Sequence, residues 1–184
     1  MVYIIRFPVR KRCLSRHLPE WEKPCLQFFP SVRAIGEGKG ETLFYLTAKT
    51  ITGTVAWEAF HTLRENGLKF KVTAITAKEK LCFLDSPECT PEKCPYAKGH
   101  FDRVNDAVYE LWTTEEVYSR EVIRAHAEKW QVCPFEMCLD LSVWVDGVIC
   151  DYNYAFDPNV HLKRFSGKYF RRLYFSSLMK RIIW

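Results

Sequence analysis

Residues 41–75 read Glu-Thr-Leu-Phe-Tyr-Leu-Thr-Ala-Lys-Thr-Ile-Thr-Gly-Thr-Val-Ala-Trp-Glu-Ala-Phe-His-Thr-Leu-Arg-Glu-Asn-Gly-Leu-Lys-Phe-Lys-Val-Thr-Ala-Ile. Glu41 to Ala48 is a β-rich, mostly apolar run suited to a buried strand. From Thr54 to Asn66, Val55, Ala59, Phe60 and Leu63 recur at helical spacing, and Asn66-Gly67 is a helix stop. Leu68 to Ile75 alternates as a second strand. Strand, helix and strand within about 35 residues make a βαβ unit, which predicts an α/β fold with a parallel sheet.

Downstream, His100 to Trp112 has helical periodicity. Thr113-Thr-Glu-Glu116 has capping-box spacing and predicts the start of a second helix through Val117, Ile123, Ala127 and Trp130. Pro134 suits the first turn of a third helix ending near Trp144, and Gly147-Val-Ile-Cys150 reads as a short buried strand. A parallel sheet interrupted by a largely helical, cysteine-bearing insertion is the expected layout.

The ends differ from this middle. The net charge is +5, yet residues 31–165 hold 16 basic and 20 acidic residues, so the basic excess lies wholly in residues 1–30 and 166–184. Pro8, Pro19, Pro24 and Pro30 interrupt every candidate helix of the first segment. The last segment is basic and aromatic, and reads as a short amphipathic helix, a strand or a loosely held tail. With 184 residues, 48% hydrophobic and 27% charged, the chain has room for one core and is neither collagen-like nor disordered in composition. The longest apolar stretches, such as Val143 to Cys150, fall far short of the roughly 20 residues of a bilayer span, and Met1-Val-Tyr-Ile-Ile-Arg lacks the pattern of a signal peptide. No membrane partner and a cytoplasmic location are expected.

The cysteines carry most of the chemistry: Cys13, Cys25, Cys82, Cys89, Cys94, Cys133, Cys138 and Cys150. A reducing cytosol disfavours disulfides, so the dense set Cys82, Cys89 and Cys94, beside Pro87, Pro91 and Pro95, reads as a metal-stapled loop. A fourth ligand would come from Cys133, Cys138 or Cys150. Cys133-Pro134 is preferred because a helix N-terminus favours a thiolate, whereas Cys138 and Cys150 read as core thiols. Spacing alone does not separate zinc from an iron–sulfur cluster.

Phe44-Tyr-Leu-Thr-Ala-Lys-Thr50, Thr76-Ala-Lys-Glu-Lys-Leu-Cys82, Cys94-Pro-Tyr-Ala-Lys-Gly-His-Phe-Asp-Arg-Val-Asn105, Val132-Cys-Pro-Phe-Glu136 and Val148-Ile-Cys-Asp-Tyr-Asn-Tyr-Ala-Phe-Asp-Pro158 together resemble the first motor domain of DinG/XPD-type superfamily 2 DNA helicases. The resemblance covers residues 31 to about 165. It implies a partial RecA-like motor domain over 31–80, an iron–sulfur insertion over 81–134 and a return to the motor over 135–165, in enzymes that hydrolyse ATP and move 5′ to 3′ on single-stranded DNA. It further implies a [4Fe–4S] cluster on Cys82, Cys89, Cys94 and Cys133, the set preferred above. Thr47, Lys49 and Thr50 match the motif whose polar residues touch the DNA backbone.

Two parts of that pattern are missing. No Gly-x-Gly-Lys-Thr phosphate loop precedes the Phe44 strand and no Asp-Glu-Ala-His follows Asp157-Pro158, so ATP and Mg²⁺ belong to the intact family member only and the chain as printed is expected not to turn over ATP. Codons offer an explanation. If Arg16 to Pro24 is encoded CGG-CAC-CTA-CCG-GAA-TGG-GAA-AAA-CCN, reading from the third base gives Ala-Pro-Thr-Gly-Met-Gly-Lys-Thr. If Ser177 to Trp184 is TCG-TTG-ATG-AAG-CGC-ATA-ATC-TGG, the same offset gives Val-Asp-Glu-Ala-His-Asn-Leu. Both ends are therefore expected to be out of frame, with switches near Phe29 to Ser31 and near Phe165 to Ser166.

Other residues have plainer readings. His17, His61, His100, His126 and His161 show no metal or acid–base spacing and are expected at the surface. Tyr96, Phe101, Tyr152 and Tyr154 suit base stacking or ordinary packing. Two further functions stand beside the helicase fragment: a zinc-stapled interaction module without enzymatic activity, and an iron–sulfur nuclease, for which Asp140, Asp146, Asp151 and Asp157 form no recognisable set.

Overall fold

The computed structural model describes residues 30–38, 40–47, 50–85, 88–156 and 173–177. The chain is α/β and divides into two compact units, one spanning Lys71–Val145 and one made of the chain on either side of it. The expected insertion, 81–134, falls within the first of these, which is longer at both ends.

The flanking unit is built on three parallel strands in the order β3, β1, β4. A helical segment, α1 (residues 30–36), precedes β1 (Thr42–Thr47). All six residues of β1 are buried, as expected for a strand inside a parallel sheet. On one edge it pairs with β3 (Gly147–Asp151), placing Leu43 opposite Gly147 and Thr47 opposite Asp151. On the other it pairs with β4 (Leu173–Ser177), placing Thr42 opposite Leu173 and Leu46 opposite Ser177. With both edges taken, β1 is not paired with the strand that follows it in sequence; the parallel pairing that the βαβ reading predicted is found, with β3 and β4 as the partners. Of the open readings for residues 166–184, the strand is the one found at 173–177.

Helix α2 (Thr50–Glu65) covers β1 and β3 with Ala56, Ala59 and Phe60. It starts four residues before the expected Thr54. Thr50-Ile-Thr-Gly53 is a poor helix former by propensity, yet it is helical, and a Cβ on Gly53 would meet only ordinary contacts at 3.9 Å, from Ile149 and Thr47. The end is where Asn66-Gly67 placed it. Gly67 takes φ +93°, its N–H reaches the Arg64 carbonyl at 2.8 Å, and the Leu68 N–H reaches Leu63 at 3.1 Å, a Schellman closure. A short helix, α7 (Asn153–Phe156), follows β3.

In the Lys71–Val145 unit, the expected strand 68–75 shortens to β2 (Val72–Ala74), because Leu68 closes the α2 turn and the Phe70 ring stacks on Phe60 at 5.8 Å. One turn of helix, α3 (Lys78–Leu81), precedes the cysteine loop. Helix α4 (His100–Thr114) buries His100, Val104, Ala107, Val108 and Leu111, one continuous stripe. The expected capping box at Thr113 is not used. Thr113 and Thr114 bond back to the Tyr109 and Glu110 carbonyls at 2.9–3.0 Å and end α4. The next helix, α5 (Arg120–Lys129), is capped by Ser119, whose Oγ accepts the Val122 N–H at 3.3 Å. Helix α6 (Pro134–Leu141) starts where Pro134 placed it and stops before Trp144: the Ser142 hydroxyl takes the Leu139 carbonyl at 2.5 Å and the chain turns through Val143 and Trp144. No helix among the described residues is long and apolar enough to cross a membrane.

Candidate metal centre

All four candidate ligands lie in the Lys71–Val145 unit, each at an irregular or terminal position. Cys82 caps the C-terminus of α3, its N–H bonded to the Lys78 carbonyl at 2.9 Å and its sulfur accepting the Leu84 N–H at 3.4 Å. Arg124, from α5, donates to the Leu81 carbonyl at 2.9 Å and to the Cys82 carbonyl at 3.1 Å. Its guanidinium stands over the Phe83 ring, 4.7 Å from the centroid, and Phe83 packs on Tyr96.

Cys89 is exposed. The Lys78 ammonium hydrogen-bonds the Cys89 sulfur, the main reason its pKa lies above the ordinary lysine value. Cys94 is buried in a tight turn: its N–H bonds the Thr90 carbonyl at 2.9 Å, and its carbonyl accepts from Ala97 and Lys98 at 3.1 and 3.2 Å.

Cys133 is the N-cap of α6. Its thiol pKa is raised, first by burial; N–H bonds from Glu136 and Phe135 oppose this, while Glu136 and Cys89 add to it. The helix end therefore does offer its amides to the sulfur, as the sequence implied, but burial outweighs them and the thiol is favoured over the thiolate.

The four thiols are a suitable donor set for a soft cation or an iron–sulfur cluster: all are unbridged, in one unit, with Lys78 and Arg124 bringing positive charge beside two of them. Lys78 lies within electrostatic reach of both Cys89 and Cys133, and Cys89 within reach of Cys133. Among the described residues no three His, Cys, Asp or Glu side chains are placed to hold one ion. The same finding leaves the aspartates of the nuclease reading without a described cluster.

The remaining thiols are core residues, as expected. Cys138 is fully buried against Thr73 and the Ala74 carbonyl, and burial pushes its pKa up to about 11. Cys150, in β3, is pushed up to about 12 by burial. Cys13 and Cys25 lie outside the described residues.

Thr47 ends β1 with its side chain buried, its hydroxyl 3.4 Å from the Cys150 carbonyl. Lys49 and the side chain of Thr50 lie outside what is described. Two expectations for single residues need correction or refinement. His100 is buried, not at the surface, because its ring fills the start of the α4 stripe and its Nδ1 accepts the Cys133 N–H at 3.2 Å. His61 is exposed and His126 half-buried, while His17 and His161 are not described. Phe101 is 82% exposed, as a stacking residue would be, whereas Tyr96, Tyr152 and Tyr154 are partly packed.

Sequence reasoning missed His100, Arg103 and Arg124 as supports of the cysteine turns. Their partners are mostly main-chain carbonyls and an amide, which leave no mark on a sequence. Compared with known protein families and with curated protein sequences, the chain matches none.

Proposed function

We propose that this chain is a fragment of the first motor domain of a DinG/XPD-type 5′ to 3′ DNA helicase, with a partial RecA-like sheet and a [4Fe–4S] cluster held by Cys82, Cys89, Cys94 and Cys133. The observation that carries the reading is the gathering of all four cysteines into one helical unit set into a chain whose flanking parts form a parallel sheet. The motifs over residues 31–165 supply the family. When bound, the cluster supplies a covalent staple for a loop too poor in apolar residues to order itself. Single-stranded DNA is the proposed partner, through Lys49 and Thr50, and the cytoplasm the proposed location.

The ATP site is not intact, and β4 bears on why. With TCN serine codons, Leu173-Tyr-Phe-Ser-Ser177 read from the third base encodes only Leu/Ile/Val, then Phe/Leu, Phe/Leu and Phe/Leu/Ile/Val, whatever the synonymous choice. The shifted frame thus gives an apolar run leading directly into Val-Asp-Glu-Ala-His, suited to a strand beside β1 that would deliver an acidic magnesium ligand at its end.

Anaerobic purification tests the cofactor. A brown protein with broad absorption near about 400 nm and matching iron and sulfide supports the reading; a colourless protein with stoichiometric zinc overturns it in favour of the interaction module. Nucleotide sequence across both junctions tests the frames. Codons that do not yield the two shifted peptides overturn that part, and a chain repaired in both frames is expected to hydrolyse ATP when single-stranded DNA is present.

A further inference from the structure

Two arginines, neither of them a ligand, hold the main chain of three cysteine-bearing turns. Arg103, in the first turns of α4, donates from Nε to the Trp130 carbonyl at 3.0 Å and from Nη2 to Lys98 at 2.9 Å and Gln131 at 2.7 Å. Lys98 belongs to the turn whose N–H groups bond the Cys94 carbonyl, and Gln131 lies two residues before Cys133. One guanidinium thus ties the Cys94 turn to the Cys133 turn, while Arg124 holds Leu81 and Cys82.

The surroundings are shaped to this clamp. Gly99 has φ +68°, and a Cβ there would stand 2.7 Å from Nη1 of Arg103, so a side chain at 99 would collide with the guanidinium as well as strain the backbone. Gln131 is in the left-handed region too, at φ +54°, a strained conformation for a non-glycine residue. It closes α5, with its N–H on Glu128 at 3.1 Å and the Val132 N–H on Ala127 at 2.9 Å, and this directs the Gln131 carbonyl to Arg103.

We propose that Arg103 and Arg124 are positioning residues that set the spacing of the Cys82, Cys94 and Cys133 turns for the metal cluster. The proposal rests on the cluster reading above. Its chemistry is specific. Arg103 reaches three carbonyls on two turns, which only a planar fork with several N–H groups can do, so lysine is no substitute. Arg124 serves two adjacent carbonyls from a single nitrogen, which a lysine ammonium can reproduce.

The test measures iron content and the rate at which absorbance near about 400 nm is lost to a chelator, on the anaerobically purified full chain. Arg103→Gln, Arg103→Lys, Arg124→Gln, Arg124→Lys and an exposed control, Arg33→Ala, are compared with wild type, and far-ultraviolet circular dichroism checks helix content. Expected are at least about tenfold faster loss for both Arg103 variants and for Arg124→Gln, with wild-type rates for Arg124→Lys and Arg33→Ala. Wild-type rates in Arg103→Gln, or equal rates in Arg124→Gln and Arg124→Lys, overturn the proposal while leaving the cluster standing. Wild-type protein without iron overturns the cluster reading and the proposal with it. Should the Arg103 variants not fold, the Arg124 pair decides alone.

Discussion

The Cys133 amide donates to Nδ1 of buried His100 at 3.2 Å, which joins the first residue of α4 to the N-cap of α6. Removing the ring leaves that amide unsatisfied and opens a void. His100→Ala is expected to lower unfolding free energy by about 1–3 kcal/mol in denaturant titrations. A change below about 0.5 kcal/mol would mean that water replaces the imidazole.

Alkaline pH is expected to weaken the fold. Burial raises Cys138 from 9.0 to about 11, Cys150 from 9.0 to about 12 and Tyr45 from 10.0 to about 12, the last with a contribution from Tyr152. In each case the neutral form is favoured by folding, so its stabilisation is complete below the unfolded value and is lost as pH rises through the folded one. Denaturation midpoints should fall from about pH 9 upward, and Cys138→Ala should flatten the lower part of that fall. A flat profile between pH 9 and 11 contradicts the burial of Cys138.

Thiol alkylation should rank the cysteines by environment. In metal-free native protein near pH 8, iodoacetamide is expected to modify exposed Cys89 first, and Cys138 and Cys150 only on unfolding. Peptide mapping by mass spectrometry reads the order. Early modification of Cys138 would show that the core around Thr73 opens readily.

On single-stranded DNA, Lys49→Ala is expected to reduce affinity alike for all sequences and to lower the salt slope by about 0.7, the loss of one phosphate contact. Thr47→Val, whose hydroxyl is turned toward Cys150, should leave affinity within twofold. Equal losses in both variants would mean that Thr47 turns outward when DNA binds.

Much of this was legible from residues whose signal is local. Pro134 after Cys133 marked the start of α6, Asn66-Gly67 the end of α2, and the β-rich run around Leu43-Phe-Tyr-Leu46 the buried strand. What failed was set at a distance. Whether Thr113 or Ser119 caps α5 depends on which hydroxyl is free, and Thr113 is engaged by α4. Which strands pair with β1 was left open, because it depends on the return of the chain after residue 145, which no local pattern near residue 70 records. At the cysteines, residue type identified the donors, but not the guanidinium and imidazole groups that hold their turns.

Strand β1 has no dry side and wet side; every one of its six positions is enclosed. In a saturation library, tolerance along Thr42–Thr47 should therefore show no odd–even rhythm, with Asp, Lys or Arg rejected at each step alike.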